Sequence, residues 1–334
     1  MRERQTDVNQ GDQSKHHTKT PKTAGVTRLA PSPTGALHLG NVRTFLVNWA
    51  MARQKGMKVI LRVENLDGPR VKVGADRGAI EILRWLGMDW DEGPYYQRDD
   101  LAVYEAAMAT LKKKGLVYPC RCTRREIESA QSAPHGDEHE LQYPGTCRDK
   151  FNHEIDDGEG EFAWRVKVPS SEVVYEDVLC GTQRMDVQSQ VGDFVMWTKM
   201  GLPAYQLAVV VDDARQGVTE VVRGDDLLRS TARQLFLYRS LGLQSPARWV
   251  HLPLVVGEDG RRLAKRHGDT RAAMYRDAGV CAERLVGLMA YWCGITNQRI
   301  EMSAGEFADG FDLGKMPREQ VVFGAEDHAW LMGE

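Results

Sequence analysis

Val42, Leu46, Val47, Trp49 and Ala50 recur at helical spacing, which predicts a helix with His38, Gly40 and Asn41 at or just before its N-terminus. Upstream, Pro31 and Pro33 fix φ and withhold two amide donors, so the chain between them is extended or turning, and Gly35 permits a reversal. Lys58 to Glu64, following Gly56, has the short β-branched profile of a buried strand. Strand, glycine-bearing loop, helix and strand make the order of a βαβ unit, which builds a parallel sheet with ligands at the C-terminal ends of its strands.

The pattern continues with a helix over 75–87, whose apolar side is Ile80, Ile82, Leu83, Trp85 and Leu86, an acidic turn over 89–93, and a helix over 101–114 that ends in three lysines. Strands are predicted over 162–168 and 173–179, with a turn or sheet edge at 186–190. The run from Gln206 to Val211 is nearly all apolar and ends in Asp212 and Asp213, which predicts a buried parallel strand delivering acids at its C-terminal end. A strand over 218–222, a helix over 227–241, a strand over 249–256, a turn over 257–260 and a short helical tail complete the chain.

Composition narrows the class. The chain has 334 residues, 27% of them charged and 42% hydrophobic, which suits a globular protein of more than one domain. Its net charge of -3 gives no overall basic footprint, so a nucleic acid would have to meet a local basic face. Residues 1–25 hold almost no large apolar side chains and are expected to be a disordered tail. Without an apolar leader or a run long enough to span a bilayer, a cytoplasmic protein with no membrane partner is expected.

Candidate chemistry falls at the predicted strand ends. Glu64, Asn65 and Asp67 follow the first complete strand, and a carboxylate there can hold an amine or a ribose. His38 can donate to phosphate oxygens, and Gly40 lets a base or ribose lie against the backbone. Arg223 ends another buried strand and offers a planar fork to a carboxylate. The loop over 261–269 carries Arg261, Arg262, Lys265, Arg266 and His267, a plausible clamp for a polyphosphate. Cys120 and Cys122 project from one face of an extended segment, and Cys147 adds a third thiolate. Tyr143, across a Pro-Gly turn, can complete a tetrahedral structural zinc site, with His135, His139 or water as rivals for the fourth place.

Taken together, the Ala30-Pro-Ser-Pro-Thr-Gly-Ala-Leu-His38-Leu-Gly40-Asn41 segment and the Arg262-Leu-Ala-Lys265-Arg266 loop resemble the two signature motifs of class I aminoacyl-tRNA synthetases. Arg62-Val-Glu64-Asn-Leu-Asp67, the cysteine segments, Tyr205 and the Arg223-Gly-Asp-Asp block resemble the glutamyl branch, over residues 27–300. Glutamyl-tRNA synthetases continue into a large helical anticodon-binding domain, whereas this chain stops soon after the basic loop. That feature and the Tyr-Pro-Gly-Thr-Cys segment resemble the glutamyl-Q tRNA(Asp) synthetases. Asn41 departs from the histidine of the ideal first signature, as do Arg262 from the lysine and Ala264 from the serine of the second.

The resemblance implies an α/β, Rossmann-like class I catalytic domain in two halves, 26–117 and 191–270, around a zinc-bearing insertion, 118–190, with a short helical region over 271–334. It implies a monomeric ligase that activates glutamate with ATP and magnesium and attaches it to queuosine at the wobble position of tRNA(Asp). Arg28, Ala30, Ser32, Glu64, Tyr205 and Arg223 would hold glutamate. His38, Gly40, Asn41 and Lys265 would attend ATP, with His38 and Lys265 catalytic. Cys120, Cys122, Tyr143 and Cys147 would hold zinc. A truncated glutamyl-tRNA synthetase charging a tRNA 3′ end and a non-catalytic tRNA-binding paralogue remain as alternatives.

Overall fold

The computed structural model describes residues 25–129, 142–150, 162–261, 263 and 270–334. The chain begins with β1 (Val26–Leu29), α1 (Leu39–Gln54), β2 (Lys58–Val63), α2 (Ala75–Trp85) and β3 (Glu92–Tyr96), and the three strands pair in parallel in the order β1-β2-β3. The αβ alternation is the one that hydrophobic spacing predicts. The acidic turn expected over 89–93 overlaps the first two residues of β3, Glu92 and Gly93, and the strand itself has no counterpart in the expected elements. β3 accommodates Pro94 because a strand at the sheet's edge tolerates a residue without an amide donor. Gly93, with φ +98°, passes so close to the Leu61 carbonyl that a side chain would collide with it.

Next come α3 (Ala102–Lys113), β4 (Val117–Cys120), α4 (Arg124–Ser129), β5 (Ala163–Val166), β6 (Glu172–Asp177), β7 (Gly181–Asp186), α5 (Val187–Gln190) and β8 (Val195–Trp197). β4, β5 and β8 form an antiparallel sheet. The β6–β7 hairpin falls in the segment read as insertion, yet β6 pairs in parallel with a later strand. Residues 186–190, read as a turn or edge, end β7 and open α5, where the Asp186 carboxylate accepts from the Gln188 and Ser189 amides.

α6 (Tyr205–Arg215) is the main correction. The run ending in Asp212 and Asp213 was expected to be a strand and is a helix. Every residue from Gln206 to Asp213 is buried, so no polar face marks the helical period, and a continuous apolar run fits either structure. The two aspartates are buried because partners meet them. Asp212 accepts from Gln97 at 2.7 Å, from the Tyr104 hydroxyl at 3.0 Å and from Arg215 at 2.9 Å. Asp213 accepts from Arg28 at 3.2 Å and Arg62 at 2.7 Å.

β9 (Glu220–Gly224), α7 (Leu228–Leu241), β10 (Arg248–Leu252) and β11 (Val255–Val256) follow, and Pro253 divides the strand expected over 249–256. β9, β10 and β6 run parallel, with β7 at the edge. This block abuts the first along β1 and β9: the Thr219 amide donates to the Val26 carbonyl at 2.8 Å and the Thr27 hydroxyl to the Glu220 carbonyl at 2.9 Å. The chain ends with α8 (Ala272–Asp277), α9 (Ala282–Trp292), α10 (Ala304–Gly310), β12 (Val321–Val322) and α11 (Ala325–Met332). The helical tail therefore also supplies a strand, β12, parallel to β11.

Neighbouring residues of β9 and β10 enter different apolar clusters. Val222 and Val250 pack with α1, α9 and α10, whereas Val221 and Trp249 pack with α3, α6 and α7. Side chains alternate across a strand, so the two clusters lie on opposite faces of the sheet. Among the described residues no helix is long and apolar enough to cross a membrane.

The buried charges give the first prediction. Asp213→Asn leaves Arg28 and Arg62 without their shared counter-charge and should cost about 3–5 kcal/mol in urea unfolding at neutral pH. Burial works to raise the Asp213 pKa, but Arg28 and Arg62 overcome it and hold it below the ordinary value. The native carboxylate's contribution is thus complete above the unfolded value, about 3.9, and is lost only as pH falls through the lower folded value. Variant and wild type should therefore converge only in strong acid.

Candidate active site

Where β1 and β9 meet, the chain leaves their C-terminal ends in opposite directions, and this crevice is where open parallel sheets bind ligands. A cavity of about 180 Å³ opens there. Arg28 and Ala30 reach it from the end of β1, Glu64 from the end of β2, Arg223 from β9, Tyr205 from the start of α6, and His38, Gly40 and Asn41 from the start of α1. Eight of the residues selected from sequence thus share one wall system. Ser32 is exposed and does not line the cavity, and Lys265 lies outside the described residues.

The chain on either side of the basic loop does reach this place. Leu263 lines the cavity. The Thr270 carbonyl accepts from the Leu39 amide at 3.1 Å, and the Thr270 hydroxyl lies 3.1 Å from His38 Nδ1. His38 caps α1, and its amide donates to Asn41 Oδ1 at 3.4 Å. The positive end of a 16-residue helix therefore faces the cavity.

Arg28 donates Nε to Asp213, and its terminal nitrogens make no hydrogen bond among the described residues. Arg62, fully buried beneath the cavity, gives Nη1 to Asp213 and Nη2 to Glu64 Oε1 at 3.1 Å. The other Glu64 oxygen keeps no partner among the described residues. Burial raises the Glu64 pKa against the pull of Arg62 and Arg28. Arg223 is buried, donates Nη2 to the Thr231 hydroxyl at 2.7 Å, and among the described residues leaves Nη1 without a partner. Tyr205 stays 41% exposed. Crowding around its hydroxyl, then the Glu64 charge, push its pKa upward, so it remains a neutral donor. The site presents two cations with unspent donors opposite one carboxylate with an unspent acceptor.

The second constellation is local in sequence. Cys122 and Cys147 sulfurs are 3.5 Å apart, and the Tyr143 oxygen lies 3.4 Å from Cys120 Sγ and 3.7 Å from Cys122 Sγ. The three sulfurs lie within 4.8 Å of one another. A tetrahedral zinc with metal–sulfur bonds of about 2.3 Å sets its ligands roughly 3.8 Å apart, so this donor set fits. Burial pushes the Cys122 thiol up to about 11, and a bound cation is what would ionise it. Arg165 lies 3.9 Å over the Tyr143 ring and donates to Cys120 Sγ at 3.3 Å. His135 and His139, the rivals for the fourth position, lie outside the described residues.

Residues 25–317 match the catalytic domain of the class I tRNA synthetases (E and Q). The glutamyl-Q tRNA(Asp) synthetase of Symbiobacterium thermophilum is 45% identical over 318 residues, which cover 92% of this chain and 98% of that protein. The glutamate–tRNA ligase 2 of Halorhodospira halophila is 36% identical, and the alignment covers 91% of this chain but 64% of the ligase. A crystal structure of a glutamate tRNA ligase from Elizabethkingia meningosepticum in complex with its amino acid superposes with a TM-score of 0.76 at 28% identity, over 92% of this chain and 68% of that one.

The chain belongs to the glutamyl-Q tRNA(Asp) synthetase branch of the class I tRNA synthetases. It is a ligase with glutamate–tRNA ligase-like activity.

In this synthetase the residues that sequence reasoning missed stand behind those it found. Asp213 had been placed at a strand end, and Arg62 was only part of a motif, yet together they fix Arg28 and Glu64. Their long-range pairing leaves no trace in local spacing. The cysteine cluster also has a hidden support. Gly192 has φ +73°, and a Cβ there would stand 2.5 Å from the Tyr143 carbonyl oxygen. Gly192→Ala should cost about 1–2 kcal/mol for the left-handed backbone alone and displace the Tyr143 segment. The measurable consequence is faster reaction of buried Cys120 and Cys147 with a thiol reagent under native conditions.

Proposed function

We propose that this synthetase activates glutamate with ATP and transfers the glutamyl group to queuosine at the wobble position of tRNA(Asp). One arrangement carries the reading of the substrate: the unspent donors of Arg28 and Arg223 and the unspent acceptor of Glu64 surround a single cavity. Glutamate has the complementary groups, two carboxylates and one ammonium. Arg28 and Arg223 pair with the carboxylates, Glu64 holds the ammonium, Tyr205 contributes its hydroxyl, and Ala30 and Ser32 carry the chain past the bound amino acid.

ATP lies against the start of α1, where His38, Gly40 and Asn41 meet its phosphates and ribose. Lys265 counters the charge that grows on the phosphates, and magnesium enters with the nucleotide. The glutamate carboxylate attacks the α-phosphorus and pyrophosphate leaves. Alignment and electrostatic stabilisation suffice, and no protein nucleophile is needed. The cysteine cluster with Tyr143 would hold zinc as a structural ion, supplying cross-links within the insertion.

The choice of tRNA target is supported by the relative that matches this chain across 98% of its length, against 64% for the glutamate–tRNA ligase. The decisive assay offers labelled glutamate and ATP to tRNA(Asp) with and without queuosine, each also shortened by its 3′-terminal adenosine. Label on both queuosine-bearing tRNAs, full-length and shortened, and on neither tRNA without queuosine is expected. Label that needs the 3′ adenosine would establish 3′-end charging, and no glutamate-dependent reaction with any of them would reject the enzymatic reading.

Acidification tests the ammonium site. Glu64 must be ionised to pair with the substrate, and its pKa is raised by burial. The glutamate KM should be level above that pKa and rise as pH falls through it, beginning at a higher pH than an ordinary glutamate, about 4.3, would give. Glu64→Gln should raise KM on the order of 100-fold and abolish this acid limb.

A further inference from the structure

Three neighbouring strands bring together residues far apart in the chain. In the parallel pairing of β9 with β10, Arg223 stands opposite His251, and in that of β10 with β6, Trp249 stands opposite Asp177. The His251 ring is completely buried, with Nδ1 at 2.6 Å from Asp177 Oδ2 and Nε2 at 3.1 Å from Arg223 Nε. Asp177 is itself anchored, since its Oδ1 accepts from the Leu179 amide at 3.0 Å and the Cys180 amide at 2.9 Å.

The chemistry allows one protonation pattern. An arginine Nε–H can only donate, so His251 Nε2 must be the acceptor, and the ionised Asp177 then receives the proton on Nδ1. Arg223 comes from β9, Asp177 from β6 and Asp226 from the turn after β9, and among the described residues these are the charged groups that act on the ring most strongly. Burial, reinforced by the Arg223 charge, lowers the His251 pKa in spite of the two aspartates, which keeps the ring neutral. The Thr231 hydroxyl from α7 completes the frame, 3.1 Å from His251 Nε2 and 2.7 Å from Arg223 Nη2. Of the guanidinium nitrogens of this cavity-lining residue, Nη1 alone is left unbonded among the described residues.

We propose that His251 is a positioning residue for Arg223: oriented by Asp177 as the Nδ1–H tautomer, it fixes the guanidinium plane through Nε2 and so reserves Nη1 for a substrate carboxylate. The role rests on the reading of the cavity as the glutamate site. Histidine serves here as a rigid acceptor between a carboxylate and a guanidinium, a use distinct from proton transfer.

Two substitutions separate the halves of the relay. His251→Asn puts an amide where Nδ1 was, keeping a donor for Asp177 and removing the acceptor from Arg223. His251→Gln can place its carbonyl oxygen where Nε2 was and restore that acceptor. In glutamate-dependent ATP–pyrophosphate exchange, His251→Asn should raise the glutamate KM about tenfold or more, with the ATP KM unchanged within about twofold, and His251→Gln should recover most of the loss. In an Arg223→Lys background, His251→Asn should add nothing further. Equal effects of Asn and Gln, or parallel changes in the KM for glutamate and ATP, would overturn the proposal. The wild-type ring's nitrogen NMR spectrum gives a second test that needs no variant to fold: a protonated Nδ1 and bare Nε2 at neutral pH are expected, and the opposite tautomer or an imidazolium refutes the role. Absence of exchange by the wild-type chain would instead defeat the glutamate reading, while the ring's protonation pattern would still decide the fate of His251.

Discussion

The shared carboxylate of Asp213 is the constraint on which the candidate site depends. Arg28, Arg62 and Asp213 are each at most 5% exposed, and a buried ion of this kind costs several kcal/mol unless its partners are in place. Asp213 can meet both guanidiniums only because α6 packs against the sheet where β1 and β2 end. Arg62 in turn bonds Glu64, so one helix position sets the geometry of a cation and an anion on the cavity wall. A substrate with charges of both signs needs such a frame, because wall groups free to collapse onto one another would neutralise the site before it was filled.

What could be read from the sequence was what short-range chemistry writes into it. The prolines and Gly35 before a helical apolar period located the start of α1 and with it His38, Gly40 and Asn41. The two-residue spacing of Cys120 and Cys122 and the Pro-Gly turn before Cys147 located the thiol cluster. α6 failed the same kind of reading because burial all round erased its period, and β3 went unpredicted because Gly93 and Pro94, poor strand formers, stand inside it. The pairing of His251 with Arg223 was beyond reach for another reason. It exists only in the register of two parallel strands, which the sequence of neither strand specifies alone.

The C-terminal region takes part in the site through backbone bonds that lie outside any motif. The Thr270 carbonyl takes the Leu39 amide, and the Leu37 carbonyl receives the Ala272 amide at 2.9 Å. These two bonds form an antiparallel bridge between His38 and Arg271, so His38 is held between its bonded neighbours Leu37 and Leu39. The start of the helix is thus built jointly by the early turn and by the chain that follows the basic loop.

A second cavity, of about 320 Å³, has Tyr205 in common with the first and is bounded on its other side by Arg165 and Asp193. Arg165 donates Nη1 to the Asp193 carbonyl at 2.8 Å while its Nε meets Cys120 Sγ. The Asp193 carboxylate accepts from Tyr118 at 2.7 Å and Arg148 at 2.9 Å, residues that flank the cysteine segments. One guanidinium therefore connects the thiol cluster to a wall that reaches the first cavity through Tyr205. Cys120, Arg165 and the Asp193 carbonyl thus form a chain of contacts from the thiol cluster to that wall, and an ion bound by the cluster would bear on the cavity through Arg165.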